Sequence, residues 1–178
     1  SFRAFCNAIG RGRSITEFNY RYSDAGAAQI FVGVQVSPER NDRESLLAEL
    51  RAKDYEVMDL SDNEMAALHV RHMVGGRAPW SGDRRSARRA NELLYRFEFP
   101  ERPGALLNFL NRMEHDWNIS LFHYRNHGAA YARVLVGFQV PQGDRGALAE
   151  FFAEMTRRHR VYSYWDETDN PVYRSFLR

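Results

Sequence analysis

Cysteine is nearly absent. Cys6 stands alone, which excludes intrachain disulfides and cysteine-rich zinc sites and points to a reducing compartment. Lysine is as scarce: Lys53 is the only one, and the remaining positive charge is arginine. A Schiff-base enzyme would have that single candidate, which ends a polar helix with no glycine-rich phosphate cradle beside it. No apolar run approaches the roughly 18 residues needed to cross a bilayer, and no signal peptide is visible. Charge of one sign is not in excess, since 25 Lys and Arg against 23 Asp and Glu leave +2, a balance that does not point to phosphate binding. The P-loop, G-x-G-x-x-G, H-E-x-x-H and G-x-S-x-G motifs are all lacking. Core material is plentiful: 44% of the 178 residues are hydrophobic and 13% aromatic. That excludes wholesale disorder and suits one mid-sized domain or two small ones.

The chain repeats itself. A shift of 104 positions lays Phe5 on Phe109, Asn7 on Asn111 and Ile15 on Ile119. It lays Phe18, Tyr20 and Arg21 on Phe122, Tyr124 and Arg125, and Val32, Gly33, Gln35 and Val36 on Val136, Gly137, Gln139 and Val140. Val57 then meets Val161 and Asp62 meets Asp166, although "LAEL" (47–50) fits "LAEF" (148–151) better at 101.

The second copy reads as βαββαβ. Strands are expected at 93–99, 119–125, 131–140 and 160–165, with helices from the "PERPG" break to Trp117 and over 144–158. The first copy has a helix through Phe2, Phe5, Cys6 and Ile9, strands at 15–22, 27–36 and 55–60, and a helix near 39–53. Its opening strand would precede Ser1, so the chain reads as a fragment. The expected fold is α+β: tandem ferredoxin-like units with antiparallel sheets and helices on one face, the first unit lacking its opening strand. Ile30, Val32, Val34 and Val36 should meet the helices, as should Val134, Val136, Phe138 and Val140. The expected boundaries are 1–62 for the first unit, 63–92 for a connecting helix and basic linker, 93–165 for the second unit and 166–178 for an extension. Within the connector, Ser61 and Glu64 read as a capping box that opens a short helix over 61–73.

Several features have bland readings. His123 with His127, and His69 with His72, have spacings that could chelate, but no carboxylate or cysteine completes a set, so they read as surface or turn residues. Arg77, Arg84, Arg85, Arg88 and Arg89 read as a solvated connector. The βαββαβ order also fits tandem RNA-recognition modules, the alternative reading. Gly33, Gln35, Gly137 and Gln139 stand on the outer face where those modules carry base-stacking aromatics.

"FPERPGALLNFL" (99–110) holds the chemistry. Pro103 suits a first helical position, and Gly104 lets a ligand approach the backbone. Free amides at a helix start suit a carboxylate. Leu106, Leu107 and Leu110 offer an apolar wall, although Leu106 and Leu110 also read as plain core. Tyr20, Tyr124, Asn7 and Asn111 offer polar groups for an ammonium. A small apolar amino acid fits this description.

The runs "ITEFNYRYSDAGAAQIFVGVQV" (15–36), "DLSDNEMAALHVRHMVGGR" (59–77), "YRFEFPERPGALLNFL" (95–110), "WNISLFHYRNHGAAYARVLVGFQVP" (117–141) and "DETDNP" (166–171) resemble the carboxy-terminal regulatory region of biosynthetic threonine deaminase (threonine ammonia-lyase). They cover most of the chain outside the linker. The resemblance implies two ACT-like units and an upstream pyridoxal phosphate domain that converts threonine to 2-oxobutanoate and ammonia on the way to isoleucine. It implies isoleucine as feedback inhibitor, valine as its opponent, and a cytoplasmic homotetramer. For this chain it implies no catalytic residue, no cofactor, no metal, and neither nucleic acid nor membrane as partner. Effector contacts are carried onto Pro103, Gly104, Ala105, Leu106, Leu107, Leu110 and Asn111, and onto the two F-x-Y-R strands, with Phe18, Tyr20 and Tyr124 and with Asn7 nearby.

Overall fold

The computed structural model describes residues 2–9, 12–21, 29–38, 41–63, 92–102, 104–112, 117–126, 128–159 and 162–173. The connector beyond Asn63 therefore lies outside them, as do Glu64, the linker arginines, His69, His72, His127 and Pro103. The elements run α1 (Phe2–Ile9), β1 (Ser14–Arg21), β2 (Gln29–Gln35), α2 (Asp42–Arg51), β3 (Glu92–Pro100), α3 (Ala105–Arg112), β4 (Asn118–Arg125), β5 (Tyr131–Gln139), α4 (Arg145–Arg158) and β6 (Ser163–Asp166). No helix among the described residues is long and apolar enough to cross a membrane.

All six strands form one antiparallel sheet, ordered β2-β1-β4-β5-β3-β6. Period-two alternation decides its faces. Phe18, Tyr20, Phe97, Phe99, Phe122, Tyr124, Val134, Val136 and Phe138 are buried together with the helical residues Phe5, Ile9, Leu46, Leu50, Leu106, Phe109, Leu110, Leu148 and Phe152. Ile30, Val32, Val34 and Val36 pack against the same cluster. Gly33, Gln35, Gly137 and Gln139 turn the other way, as the alternation predicts.

The repeat extends to a defect. β1 slips register against β2 between Ile15 and Glu17, and β4 slips against β5 between Ile119 and Leu121, the same place in each copy. A glycine sits opposite each bulge because the extra residue crowds its neighbour. A Cβ on Gly33 would stand 2.6 Å from Thr16 Oγ1, and one on Gly137 2.9 Å from Ser120 Oγ. The twice-used Val-Gly-x-Gln pattern thus has a steric cause.

The two copies join through their equivalent strands. β1 pairs with β4 so that Phe18 faces Tyr124, Tyr20 faces Phe122, and Asn19 faces His123, its own counterpart. Exchanging the copies reproduces the ladder, so a local two-fold axis passes through Asn19 and His123. Phe18 and Phe122 meet edge to face across this seam at 5.5 Å, a geometry worth about 0.5–1.5 kcal/mol beyond area burial. On the opposite face a buried ion pair spans the seam. Arg21 Nη1 donates to Glu92 Oε1 at 2.7 Å and Nη2 to Oε2 at 3.3 Å, while the Ser120 hydroxyl donates to Oε1 at 2.5 Å.

One expected strand is absent. Residues 55–60 are not in a strand, although Tyr55 and Val57 pack on the core. The segment nonetheless copies Tyr162–Asn170. The Ser61 amide donates to Asp59 Oδ1 as the Thr168 amide donates to Asp166 Oδ1, both at 2.9 Å. The Asn63 amide donates to the Leu60 carbonyl as Asn170 does to Glu167, both at 3.0 Å. Past the last helix of each copy, then, Asp59 matches Asp166 at an offset of 107, which replaces the pairing of Asp62 with Asp166. The Ser61 hydroxyl donates to Asp59 Oδ1 at 2.6 Å. A strand needs a ladder partner. β6 has β3, and 55–60 has no counterpart of β3 beside it among the described residues.

Candidate functional site

α3 begins at a sharp turn. Gly104 adopts φ +77°, a left-handed conformation that glycine takes without strain, and space around a built Cβ is open. The Ala105 amide closes the turn onto the Arg102 carbonyl, and the Asn108 amide makes the first helical bond to Gly104. Amides of a first helical turn have no partner inside the helix, and the helix dipole places partial positive charge there.

A cleft of about 190 Å³ opens at this point. It is smaller than the roughly 300–1,000 Å³ of pockets for drug-sized ligands, so its size suits one small molecule. Glu101, Arg102, Gly104, Ala105, Leu106, Leu107, Tyr124 and Asn126 line one side. Arg13, Ser14, Ile15, Thr16 and Gln35 come from the other copy of the repeat. The cleft therefore lies on the seam, where the Asn126 amide donates to the Thr16 carbonyl at 2.8 Å.

Its polar groups are organised. The Tyr124 hydroxyl donates to Glu101 Oε2 at 2.9 Å. Burial, this bond and the adjacent carboxylate all push the phenol's pKa upward, so Tyr124 is a fixed donor, not a base. Arg13 is committed elsewhere: its Nε donates to Asp42 at 2.7 Å and Nη2 to Glu49 at 3.3 Å, and the bond to Asp42 leads in raising its pKa. Glu101 thus supplies negative charge, and the α3 amides, with exposed Arg102, supply positive charge. Ile15, Ala105 and Leu107 add apolar surface. Such a cleft is shaped for a zwitterion.

Of the residues expected at a site, Gly104, Ala105, Leu106, Leu107 and Tyr124 come together in this cleft. Leu110 and Phe18 are buried in the core, as is Tyr20. Asn111 is exposed and Asn7 half-buried on α1, and neither lines the cleft. Sequence reasoning missed Glu101, although it stands only two residues before Pro103. It also missed Arg13, Thr16, Gln35 and Asn126, whose approach depends on the seam. Pyridoxal phosphate has no fitting seat among the described residues: Lys53 is exposed in the turn after α2, with no phosphate-binding loop beside it.

Comparison with known proteins adds a second line of observation. Residues 1–70 and 83–177 match the family model described as the C-terminal regulatory domain of threonine dehydratase. The chain is similar to the biosynthetic L-threonine dehydratase of Escherichia coli, with 51% identity over 178 residues that cover 99% of the chain and 32% of that protein. Its similarity to the Salmonella typhimurium enzyme is 49% over 178 residues, covering 99% and 32%. The mitochondrial threonine dehydratase of Saccharomyces cerevisiae is 39% identical over 174 residues, covering 93% and 28%. The chain therefore spans about a third of the length of these relatives.

Proposed function

The chain belongs to the family of C-terminal regulatory domains of threonine dehydratase, and on that footing we propose that its seam cleft is an amino-acid effector site. The ligand's carboxylate lies on the α3 amides beside Arg102, and its ammonium lies on Glu101. An aliphatic side chain rests on Ile15, Ala105 and Leu107. Isoleucine is the inhibitor and valine opposes it. The activity under control is threonine deamination to 2-oxobutanoate and ammonia by an upstream pyridoxal phosphate domain, in a cytoplasmic homotetramer. The observation that carries this reading is the Glu101 carboxylate, fixed by Tyr124 at the mouth of α3.

The energetics are consistent with a sensor. Burying an isoleucine side chain contributes about 1.5–3 kcal/mol. One methylene separates isoleucine from valine and permits about 1–3 kcal/mol of discrimination. Allosteric couplings are of the same order, about 1–3 kcal/mol. A ligand shifts a conformational equilibrium only by its differential affinity for the two states. A cleft built from both copies senses how those copies pack, which makes the seam the natural bistable element.

Calorimetric titration tests the reading. Isoleucine should bind well and threonine, lacking aliphatic bulk, poorly. Glu101→Gln removes a charge-assisted contact worth about 1.5–3 kcal/mol and should weaken isoleucine at least about tenfold, with the melting temperature of the free protein little changed. Equal binding of isoleucine and threonine, or unchanged affinity in Glu101→Gln, would contradict the assignment.

A further inference from the structure

Among the described residues that line the first-copy wall of the seam cleft, only Arg13 is charged. Its side chain is 8% exposed, and α2 holds the guanidinium from behind. Nε and Nη2 each stand 2.7 Å from Asp42 Oδ1, and Nη2 stands 3.3 Å from Glu49 Oε1. The two carboxylates are seven residues apart, close to two helical turns, so they share the face of α2 that buries Leu46 and Leu50. Packing of that face on the core fixes their distance from β1. The Ser45 hydroxyl, one turn earlier, donates to Glu49 Oε1 at 3.3 Å. Neither carboxylate lines the cleft; both stand against the one cation that does. Asp42, Glu49 and Glu101 thus carry three negative charges in and behind the cleft, against two positive charges on Arg13 and Arg102. A zwitterion suits this balance, with its carboxylate on the α3 amides and its ammonium on Glu101. A 2-oxo acid of the same skeleton does not. It sets a carbonyl oxygen where the ammonium was, acceptor against carboxylate, with no proton between them.

We propose that Asp42 and Glu49 determine the specificity of the seam cleft without lining it: by neutralising Arg13 they make it accept α-amino acids and reject 2-oxo acids. This rests on the reading of the cleft as an effector site and names the feature of the effector that is read, its amino group. Without the two α2 carboxylates, Arg13 would present a full positive charge to the cleft. That charge would offset Glu101 and supply N–H donors to an oxo group or a carboxylate. The discrimination has a use. The reaction placed upstream releases 2-oxobutanoate, itself a 2-oxo acid. A cleft with Arg13 unmasked would answer to that product as well as to an amino acid. With Arg13 masked, the ammonium is needed to satisfy Glu101, and a molecule that has lost its amino group loses its place. Selectivity of this kind comes from charge left unpaired against the wrong ligand, not from contacts added for the right one.

Calorimetric titration with isoleucine and with 3-methyl-2-oxopentanoate, the oxo acid of the same skeleton, tests it. The parent chain should prefer isoleucine by at least about a hundredfold, since a polar seat left unpaired rejects its ligand strongly. Asp42→Asn combined with Glu49→Gln should narrow that preference at least about tenfold, because a released guanidinium makes charge-assisted bonds to an anion. Asp42→Asn alone, which leaves Glu49 in place, should give part of the change, and it decides the matter where the double variant does not fold by its melting curve. Adding Arg13→Gln to the pair should restore most of the parent's preference. A preference that stays fixed when the carboxylates are neutralised would overturn the proposal, and so would a narrowed preference that survives Arg13→Gln in full. Failure of isoleucine to bind the parent would refute the effector reading and this inference with it. Isoleucine that binds the parent and is weakened by Glu101→Gln, with the preference still fixed in the α2 variants, would refute this inference alone.

Discussion

The ion pair between Arg21 and Glu92 gives the sharpest test of how the copies are held together. Its side chains are only 8% and 6% exposed, and Glu92 reaches over Gly137, where a Cβ would stand 3.1 Å from its Oε1. Glu92→Gln keeps the shape and removes the charge, which strands a buried guanidinium. Removing one partner of a buried pair costs about 3–5 kcal/mol. In a chain of this size each kcal/mol moves the melting point by about 2–4 °C, so the expected fall is about 6–20 °C. Arg21→Met should do the same. The double variant Arg21→Met with Glu92→Leu should recover most of the loss, because apolar replacement of a whole buried pair is close to neutral or stabilising. Calorimetric melting of the parent, Arg21→Met, Glu92→Leu and the double variant closes the cycle, with Glu92→Gln as the isosteric control. Single variants within about 1 kcal/mol of the parent, or a double variant equal to the sum of the singles, would refute the reasoning.

Two further outcomes follow from side-chain environments. Burial pushes the Cys6 thiol up to about 12, so the native protein should resist thiol-specific reagents at pH 8 and react once denatured; rapid native labelling would contradict the packing of α1. Asp59 is held at about 2, against an ordinary 3.8, first by the hydroxyl and amide of Ser61 and then by Arg43. A depressed carboxyl stabilises the fold above its ordinary value, and that contribution disappears as pH falls from about 4 towards 2. Urea midpoints should therefore drop over this window, and less steeply in Asp59→Asn; identical acid slopes would rule the contribution out.

Much of the architecture was legible because hydrophobic alternation reports faces. "VLVGFQV" and "IFVGVQV" showed which residues meet helices, and the repeat matched β1 and β2 with β4 and β5. Alternation says nothing about edges. "ISLFHYR" reads the same whether its neighbour is β1 or solvent, so the joining of β1 to β4, and with it half the lining of the cleft, had no sequence signature. Residues 55–60 carry strand-forming residues, but a ladder is a property of two segments. Glu101 was visible as a residue and invisible as a partner of Tyr124, which lies 23 positions away.

The local two-fold axis through Asn19 and His123 has a consequence for assembly. Two separate copies related in this way would be an isologous dimer, formed and lost by mass action. Carried on one polypeptide, the partners meet at a fixed effective concentration set by their tether. Dilution in the cell cannot part them, so their joining is the same at every protein concentration.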